Sequence, residues 1–288
     1  MVSRREARRG LLERLRAGGL ESPDFEAACM TEHVLGRSYR HMTRQQLEEP
    51  VTPEQAAALH ALVQRRLAGE PLQYLLGEWE FYGLPFRVGP GVLIPRQDTE
   101  TLVECALQAA RGIPAPRILD LCAGSGCIGI ALARCLPDAR VTAVERSEDA
   151  LRYLEENAAL NRVPLEIIRG DVLDGALAGS IRGVDVIVSN PPYLTAADLA
   201  ALQKEVTFEP RAALDGGQDG LLFYREMPAL WQESLKPGGR LLFEIGMGQA
   251  QAVSGFLAHA GYTQIEIFPD LTGISRVVSG VAPAGGRR

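Results

Sequence analysis

ILDLCAGSGCIGIALA, residues 118–133, reads as a buried strand that turns on glycine and runs straight into a helix. The apolar run before Cys122 is strand-like, and the apolar residues after Gly126 recur at helical spacing. Gly124, Gly126 and Gly129 fit the pattern G-x-G-x-x-G, in which glycines let the backbone turn tightly and approach a ligand. Further runs of the same strand type are RVTAV (140–144), LEIIR (165–169), VDVIV (184–188) and RLLFEI (240–245), with helical segments between them. That alternation predicts a parallel sheet covered on both faces. TQIEIFPD (263–270) and SRVVSG (275–280) add two strands so close in sequence that one must be antiparallel.

Upstream the pattern is different. Residues 1–75 predict a small all-α domain: Ser3 and Glu6 form a capping box, Ser22-Pro23 opens a helix that Gly36 closes, and Thr52-Pro53 opens another that Gly69 stops. Leu59, Leu62, Val63 and Leu67 share one face of the last. EWEFYGLPFRV (78–88) alternates around Gly83 and predicts a β-hairpin within a linker spanning residues 76–96. The α/β domain then occupies residues 97–282, and residues 283–288 read as a disordered tail.

Composition narrows the classes. The net charge of −6 argues against a general nucleic-acid binder, so no stable nucleic-acid partner is expected. No apolar run approaches the roughly 20 residues that span a bilayer. The N-terminus is amphipathic without a secretory core, so a cytoplasmic protein is expected. Cys29, Cys105, Cys122, Cys127 and Cys135 include no C-x-x-C pair, and the four histidines lack ligand spacing; free thiols and no metal are expected.

The glycine fingerprint serves both nicotinamide enzymes and enzymes that use S-adenosylmethionine. Asp120, four residues before Gly124, can order the loop or meet a cationic ligand, whereas phosphates favour donors free of a neighbouring anion. Glu145 ends the second strand and can take ribose hydroxyls; Asp171 and Val172 follow the third, where an acid can accept from an adenine amino group. The fourth strand ends in Asn190-Pro191-Pro192-Tyr193. Two prolines remove two backbone donors and stiffen the turn, leaving the Asn190 side-chain oxygen and the Pro191 carbonyl as fixed acceptors. Such a pair grips both N–H bonds of a planar nitrogen and aims it at a methyl group, and Tyr193 can lie against the planar group. All four strand ends face one crevice, which suits a methyl donor and its acceptor.

This combination resembles the class I S-adenosylmethionine-dependent methyltransferases. GEPLQYLLGEWEFYG, VLIPRQDTE, NPPY, FEPRAALDGGQDGL and LKPGGRLLFEIG, in this order, resemble the release factor glutamine methyltransferases over nearly the whole chain. The resemblance implies a seven-stranded, mostly parallel sheet with one antiparallel strand, preceded by a helical substrate-recognition domain and a hairpin. It implies methylation at N5 of the GGQ glutamine of peptide-chain release factors, with S-adenosylhomocysteine as product. By the same resemblance Cys122, Ala123, Gly124, Ser125 and Gly126 wrap the methionine part of the cofactor, with Asp120 behind them. Glu145 takes the ribose, and Asp171 and Val172 lie around the adenine. Asn190 meets cofactor and substrate, and Asn190, Pro191, Pro192 and Tyr193 hold the glutamine; apart from the resemblance, Phe81 and Tyr82 of the hairpin are candidates for lining the same pocket. Two positions depart from the family pattern: Gln97 replaces a proline, and Cys122 with Ala123 stands where threonines are commoner.

Phe81 and Tyr82 have core packing as an equal reading. Glu209 and Arg211 are candidates for bracing the NPPY turn, with a surface ion pair as the alternative for Arg211. A ribosomal-protein glutamine or a nucleic-acid base amine are alternative acceptors; a nicotinamide dehydrogenase leaves NPPY unexplained, and a cofactor-free binding module makes it an accident. A monomer is expected.

Overall fold

The computed structural model describes residues 2–284, so residues 285–288 of the expected tail lie outside them. The chain divides into two compact units: one runs to Glu78 and also takes in Gln203–Phe208, and the other holds Trp79–Leu202 and the chain from Glu209 on.

The first unit is built on α1 (Arg4–Ala17), α2 (Pro23–Leu35), α3 (Arg44–Glu48), α4 (Pro53–Leu67) and α5 (Leu72–Leu76). Its helix starts are encoded locally. Ser3 and Glu6 form the reciprocal capping box, as do Thr52 and Gln55, and Thr43 with Gln46 adds a third that the sequence reading passed over. Gly36 ends α2 in the left-handed region, at φ 68°. Leu11, Leu15, Met30, Leu59, Leu62 and Val63 bury together as the apolar spacing predicts. The last buried position of α4, however, is Arg66, at 4% exposure, with Leu67 only half-buried. Arg66 makes a two-pronged pair with Glu26, at 2.6 and 3.0 Å, and reaches Glu205 at 2.5 Å.

Strands β1 (Glu78–Phe81) and β2 (Leu84–Arg87) form the hairpin. Its two turn residues, Tyr82 and Gly83, both have positive φ (53° and 69°), the turn whose twist suits a two-residue hairpin. Tyr82 tolerates that backbone because Glu100 accepts from its N–H at 2.9 Å and Glu104 from its hydroxyl at 2.5 Å.

After α6 (Glu100–Ala110) the α/β pattern follows as read: β3 (Arg117–Leu121), α7 (Cys127–Cys135), β4 (Arg140–Glu145), α8 (Glu148–Asn161), β5 (Glu166–Arg169), α9 (Gly175–Ser180) and β6 (Val184–Ser189). Then come α10 (Ala196–Ala200), α11 (Leu222–Trp231), β7 (Leu235–Glu244), α12 (Ala250–His259), β8 (Thr263–Pro269) and β9 (Ser275–Val281). The seven strands β3–β9 lie in the order β5-β4-β3-β6-β7-β9-β8, and only β9 runs against its neighbours. The strand order reverses at β3, between β4 and β6, which opens a crevice at the carboxyl edge. Two layers cover the sheet. Tyr224, Met227 and Trp231 of α11 and Leu257 of α12 bury on one face, and Leu102 and Val103 of α6 and Ile128 and Ile130 of α7 on the other.

Replacing Arg66 by alanine leaves Glu26 as an uncompensated buried charge. The expected loss is about 3–5 kcal/mol, read as a lower urea midpoint of the helical unit; Arg65→Ala, at an exposed pair, should change it by less than about 1 kcal/mol.

Candidate active site

The carboxyl ends of β3, β4, β5 and β6 are held level by register: Leu121 pairs Val144 and Ser189, and Glu145 pairs Arg169. The Ser189 hydroxyl donates to the Leu121 carbonyl at 2.7 Å and ties β6 to β3 where the crevice opens.

The loop after β3 needs its glycines for distinct reasons. Gly126 has φ 81°, and a Cβ there would lie 2.2 Å from Leu154 Cδ1. Gly124 has φ 55° with open space beside it. A Cβ on Gly129 would sit 3.0 Å from Asp120 Oδ2, the atom that accepts from the Gly129 N–H at 2.9 Å. Asp120 is thus fully buried and orders the loop and the start of α7, one of the two roles its position allows, and does not line the cavity. Burial, opposed by the Gly129 N–H, pushes its carboxyl up to about 7. Cys122 is left-handed at φ 61°, uncommon for a residue with a side chain. Burial pushes its thiol far up, so it is a small packing group rather than a reactive one.

Glu145 is 9% exposed and organises the next turn. Its Oε2 accepts from Gly124 N at 2.9 Å, and its Oε1 from the Arg146 and Ser147 amides at 2.8 Å each. A carboxylate has about four acceptor positions, so one on Oε2 remains for a hydroxyl. Asp171 stands half-exposed, bonded to Leu173 N at 2.9 Å and to Arg146 at 3.1 Å.

These groups surround a cavity of ≈ 680 Å³ whose wall includes Gly91–Leu93, Cys122, Gly124, Glu145, Asp171, Val172, Asn190 and Pro192. The 680 Å³ counts space open to solvent, so the cavity is a crevice at the sheet edge and not a closed chamber. Ala123, Ser125, Gly126, Pro191 and Tyr193 stand behind or beside this wall. Phe81 does not reach it: at 2% exposure it packs edge-on to Phe86 at 6.0 Å, among residues of α6 and α7. Phe81 is core, because the inward face of a short hairpin strand is spent on the layer it covers.

The NPPY turn is clamped by backbone. A Cβ on Gly216 would come within 2.7 Å of Tyr193 Cα, one on Gly220 within 2.4 Å of the Tyr193 carbonyl, and one on Gly246 within 2.9 Å of the Tyr193 ring. The DGGQDG stretch, residues 215–220, is therefore the close-fitting side of this turn. Leu194 N donates to the Leu214 carbonyl at 2.9 Å and Gly216 N to the Leu194 carbonyl at 3.0 Å, while Gln249 Nε2 donates to the Tyr193 carbonyl at 3.1 Å. Glu209 braces a different segment: it accepts from Ile94 N at 3.0 Å and pairs with Arg96, holding the Gly91–Leu93 wall. Arg211 makes the surface pair, 3.5 Å from Asp215.

Sequence reasoning missed three residues. Asn157 is fully buried; its amide donates to the Ser125 and Arg87 carbonyls at 3.0 and 3.1 Å and fastens the glycine loop to β2. Gln249 clamps Tyr193. Glu244 ends β7, buried beside Asn190. An acid closing an apolar strand, the feature that singled out Glu145, was the signal for Glu244. Among the described residues, no group of His, Cys, Asp and Glu is placed to hold a metal, and no helix is long and apolar enough to cross a membrane.

A seven-stranded sheet of this order, with a glycine cradle after its first strand, a buried acid at the end of its second and an NPPY turn after its fourth, defines a class I methyltransferase. Residues 97–228 match the family described as the methyltransferase small domain, and residues 6–77 the PrmC N-terminal domain. A methyltransferase of known structure from Pyrococcus furiosus shares the fold at TM-score 0.52 with 16% identity, over 81% of this chain and 100% of that one. The release factor glutamine methyltransferase of Geobacter sulfurreducens is 45% identical over 91% of this chain and 90% of its own length. That of Moorella thermoacetica is 40% identical over 94% and 96%. The chain belongs to the release factor glutamine methyltransferase family and is an enzyme, a methyltransferase.

Gly124→Ala and Gly126→Ala carry the same left-handed penalty of about 1–2 kcal/mol, but only the second drives a Cβ into Leu154. Thermal melts should show Gly126→Ala as the more destabilised by a further 1–3 kcal/mol or so.

Proposed function

We propose that the chain transfers a methyl group from S-adenosylmethionine to the side-chain amide nitrogen of a glutamine, the one in the GGQ motif of peptide-chain release factors. The observation that carries this reading is Asn190, held by the stiff NPPY turn on the wall of the cavity that Gly124 and Glu145 also line.

The cavity suits the cofactor. The close backbone approach that the loop glycines permit, the acceptor position left on Glu145 Oε2 and the apolar Val172 all match an adenosyl group with an amino-acid tail. Glu145 would take the ribose, Asp171 and Val172 would flank the adenine, and Cys122–Gly126 would wrap the methionine part. Bound there, the cofactor supplies an electrophilic methyl carbon.

The chain's own residues meet the harder requirement, which is the nucleophile. An amide nitrogen is weak because its lone pair is delocalised into the carbonyl. Asn190 Oδ1 and the Pro191 carbonyl accept its two N–H bonds, which fixes the nitrogen's direction and favours the positive charge it develops. Tyr193 flanks the planar amide and, mostly buried itself, keeps water away. No base is needed before transfer, because the N–H becomes acidic only once the nitrogen is methylated.

Full-length chain with S-adenosylmethionine and a purified release factor should add one methyl group to the GGQ glutamine, found by mass spectrometry of the tryptic peptide. Asn190→Ala should lower kcat by about 10²–10³-fold, with S-adenosylhomocysteine affinity by calorimetry within a few-fold of wild type. Methylation by wild type of a ribosomal protein or a nucleic-acid base instead, or tighter binding of NADH than of S-adenosylhomocysteine, would overturn the reading.

A further inference from the structure

An asparagine amide can point either way, and only one way works. For Asn190 to accept from a substrate N–H, its Oδ1 must face the cavity and its Nδ2 must face the protein. The side chains behind it decide this. Asn190 Nδ2 lies 3.4 Å from Thr99 Oγ1, and Thr99 is buried at 2% exposure at the start of α6. Behind both stands Glu244, the last residue of β7, 1% exposed, close enough that the Thr99 and Asn190 side chains, as donors beside it, draw its carboxyl down against the rise that burial causes. Its Oε2 has no partner.

The donors sort themselves once this carboxylate is ionised. A carboxylate only accepts, so the Thr99 hydroxyl gives its proton to Glu244 and turns a lone pair toward Asn190. Asn190 then meets acceptors on its inner side, and only its NH2 end can satisfy them. A reversed amide would set Oδ1 against a carboxylate with no water to screen the two oxygens, an expensive buried clash.

We propose that Glu244, acting through Thr99, is the positioning residue that locks the Asn190 amide with its oxygen toward the substrate, and so sets the chain's selectivity for an acceptor carrying two N–H bonds. This rests on the glutamine reading above.

Several charged and titratable groups face Glu244. Arg276 of β9 draws it down; Asp98, beside Thr99, pushes it up and is itself paired to Arg276 at 2.9 Å. Tyr193 of the NPPY turn and Tyr224 of α11 are neutral, burial holding both phenols above their ordinary value, and Tyr224 donates to the Glu244 backbone carbonyl at 2.8 Å. Burial wins, and the Glu244 carboxyl is pushed up to about 7. The sign for activity follows. Below that value the protonated acid is itself a donor, the lock is released and turnover falls; above it the lock is set.

The test uses full-length chain with 15N-labelled asparagine side chains, the Asn190 signals being identified by their loss in Asn190→Ala. In wild type the Asn190 NH2 pair should shift with pH through about 7. In Glu244→Gln, which keeps size and can both donate and accept, that titration should vanish. The same variant should lose about 100-fold in kcat and the rise of kcat with pH around 7, with S-adenosylhomocysteine affinity and melting temperature held near wild type. Thr99→Val should follow it, and Thr99→Ser should recover most of the loss. Asn190 signals indifferent to pH and to Glu244→Gln would overturn the proposal, as would a fall in kcat matched by equal losses of cofactor affinity and stability. If the Asn190 signals behave as stated but wild type methylates no glutamine, the lock stands and the glutamine reading falls.

Discussion

One carboxylate organises the crevice on which the site depends. Glu145 accepts three backbone N–H bonds, one from the glycine loop after β3 and two from the turn after β4. Two adjacent strand ends are thereby cross-linked by a single side chain. Charge-assisted bonds of this kind are stronger than neutral ones, and burial keeps water from competing. A loop held so on one side, and by Asn157 on the other, has its amides aimed before any ligand arrives.

The same economy is visible across the crevice, where stiffness comes from crowding. Gly216 and Gly220 of one loop and Gly246 of another stretch come against Tyr193 closer than any side chain would permit. The prolines limit the turn from within and these contacts limit it from without. Preorganisation of this kind matters most when the nucleophile is poor, since the reaction then gains little from chemical activation and much from aim. Glu209 does the equivalent for the Gly91–Leu93 wall, so each side of the cavity is tied to a buried acid or to packed backbone.

Much of this was legible in the sequence, where the information is local. The apolar runs located the strands of the large sheet within a few residues, because a strand buried on both faces cannot hide in polar sequence. Helix starts were legible wherever Ser or Thr met Glu or Gln three residues on. What escaped depends on partners distant in the chain. Spacing placed Leu67 on the buried face of α4, but the position that completes it is Arg66, and it can be buried only because Glu26 and Glu205 are there to receive it. Phe81 alternates as a site residue would, yet its face is consumed by α6 and α7. β7 begins five residues earlier than its apolar run, at Leu235, which pairs with Val184 of β6; the register then shifts, and the continuous ladder to β6 and β9 starts at Arg240. Glu244 closes an apolar strand as Glu145 does, but its place beside Asn190 depends on residues distant in the chain.

The brief return of Gln203–Phe208 to the helical unit bears on how the protein can be taken apart. A fragment cut after Glu78 lacks six residues of its own fold, including the Glu205 carboxylate that Arg66 binds. The complementary fragment carries those six residues without the Arg66 that Glu205 receives, so no single cut in the chain separates the two units cleanly.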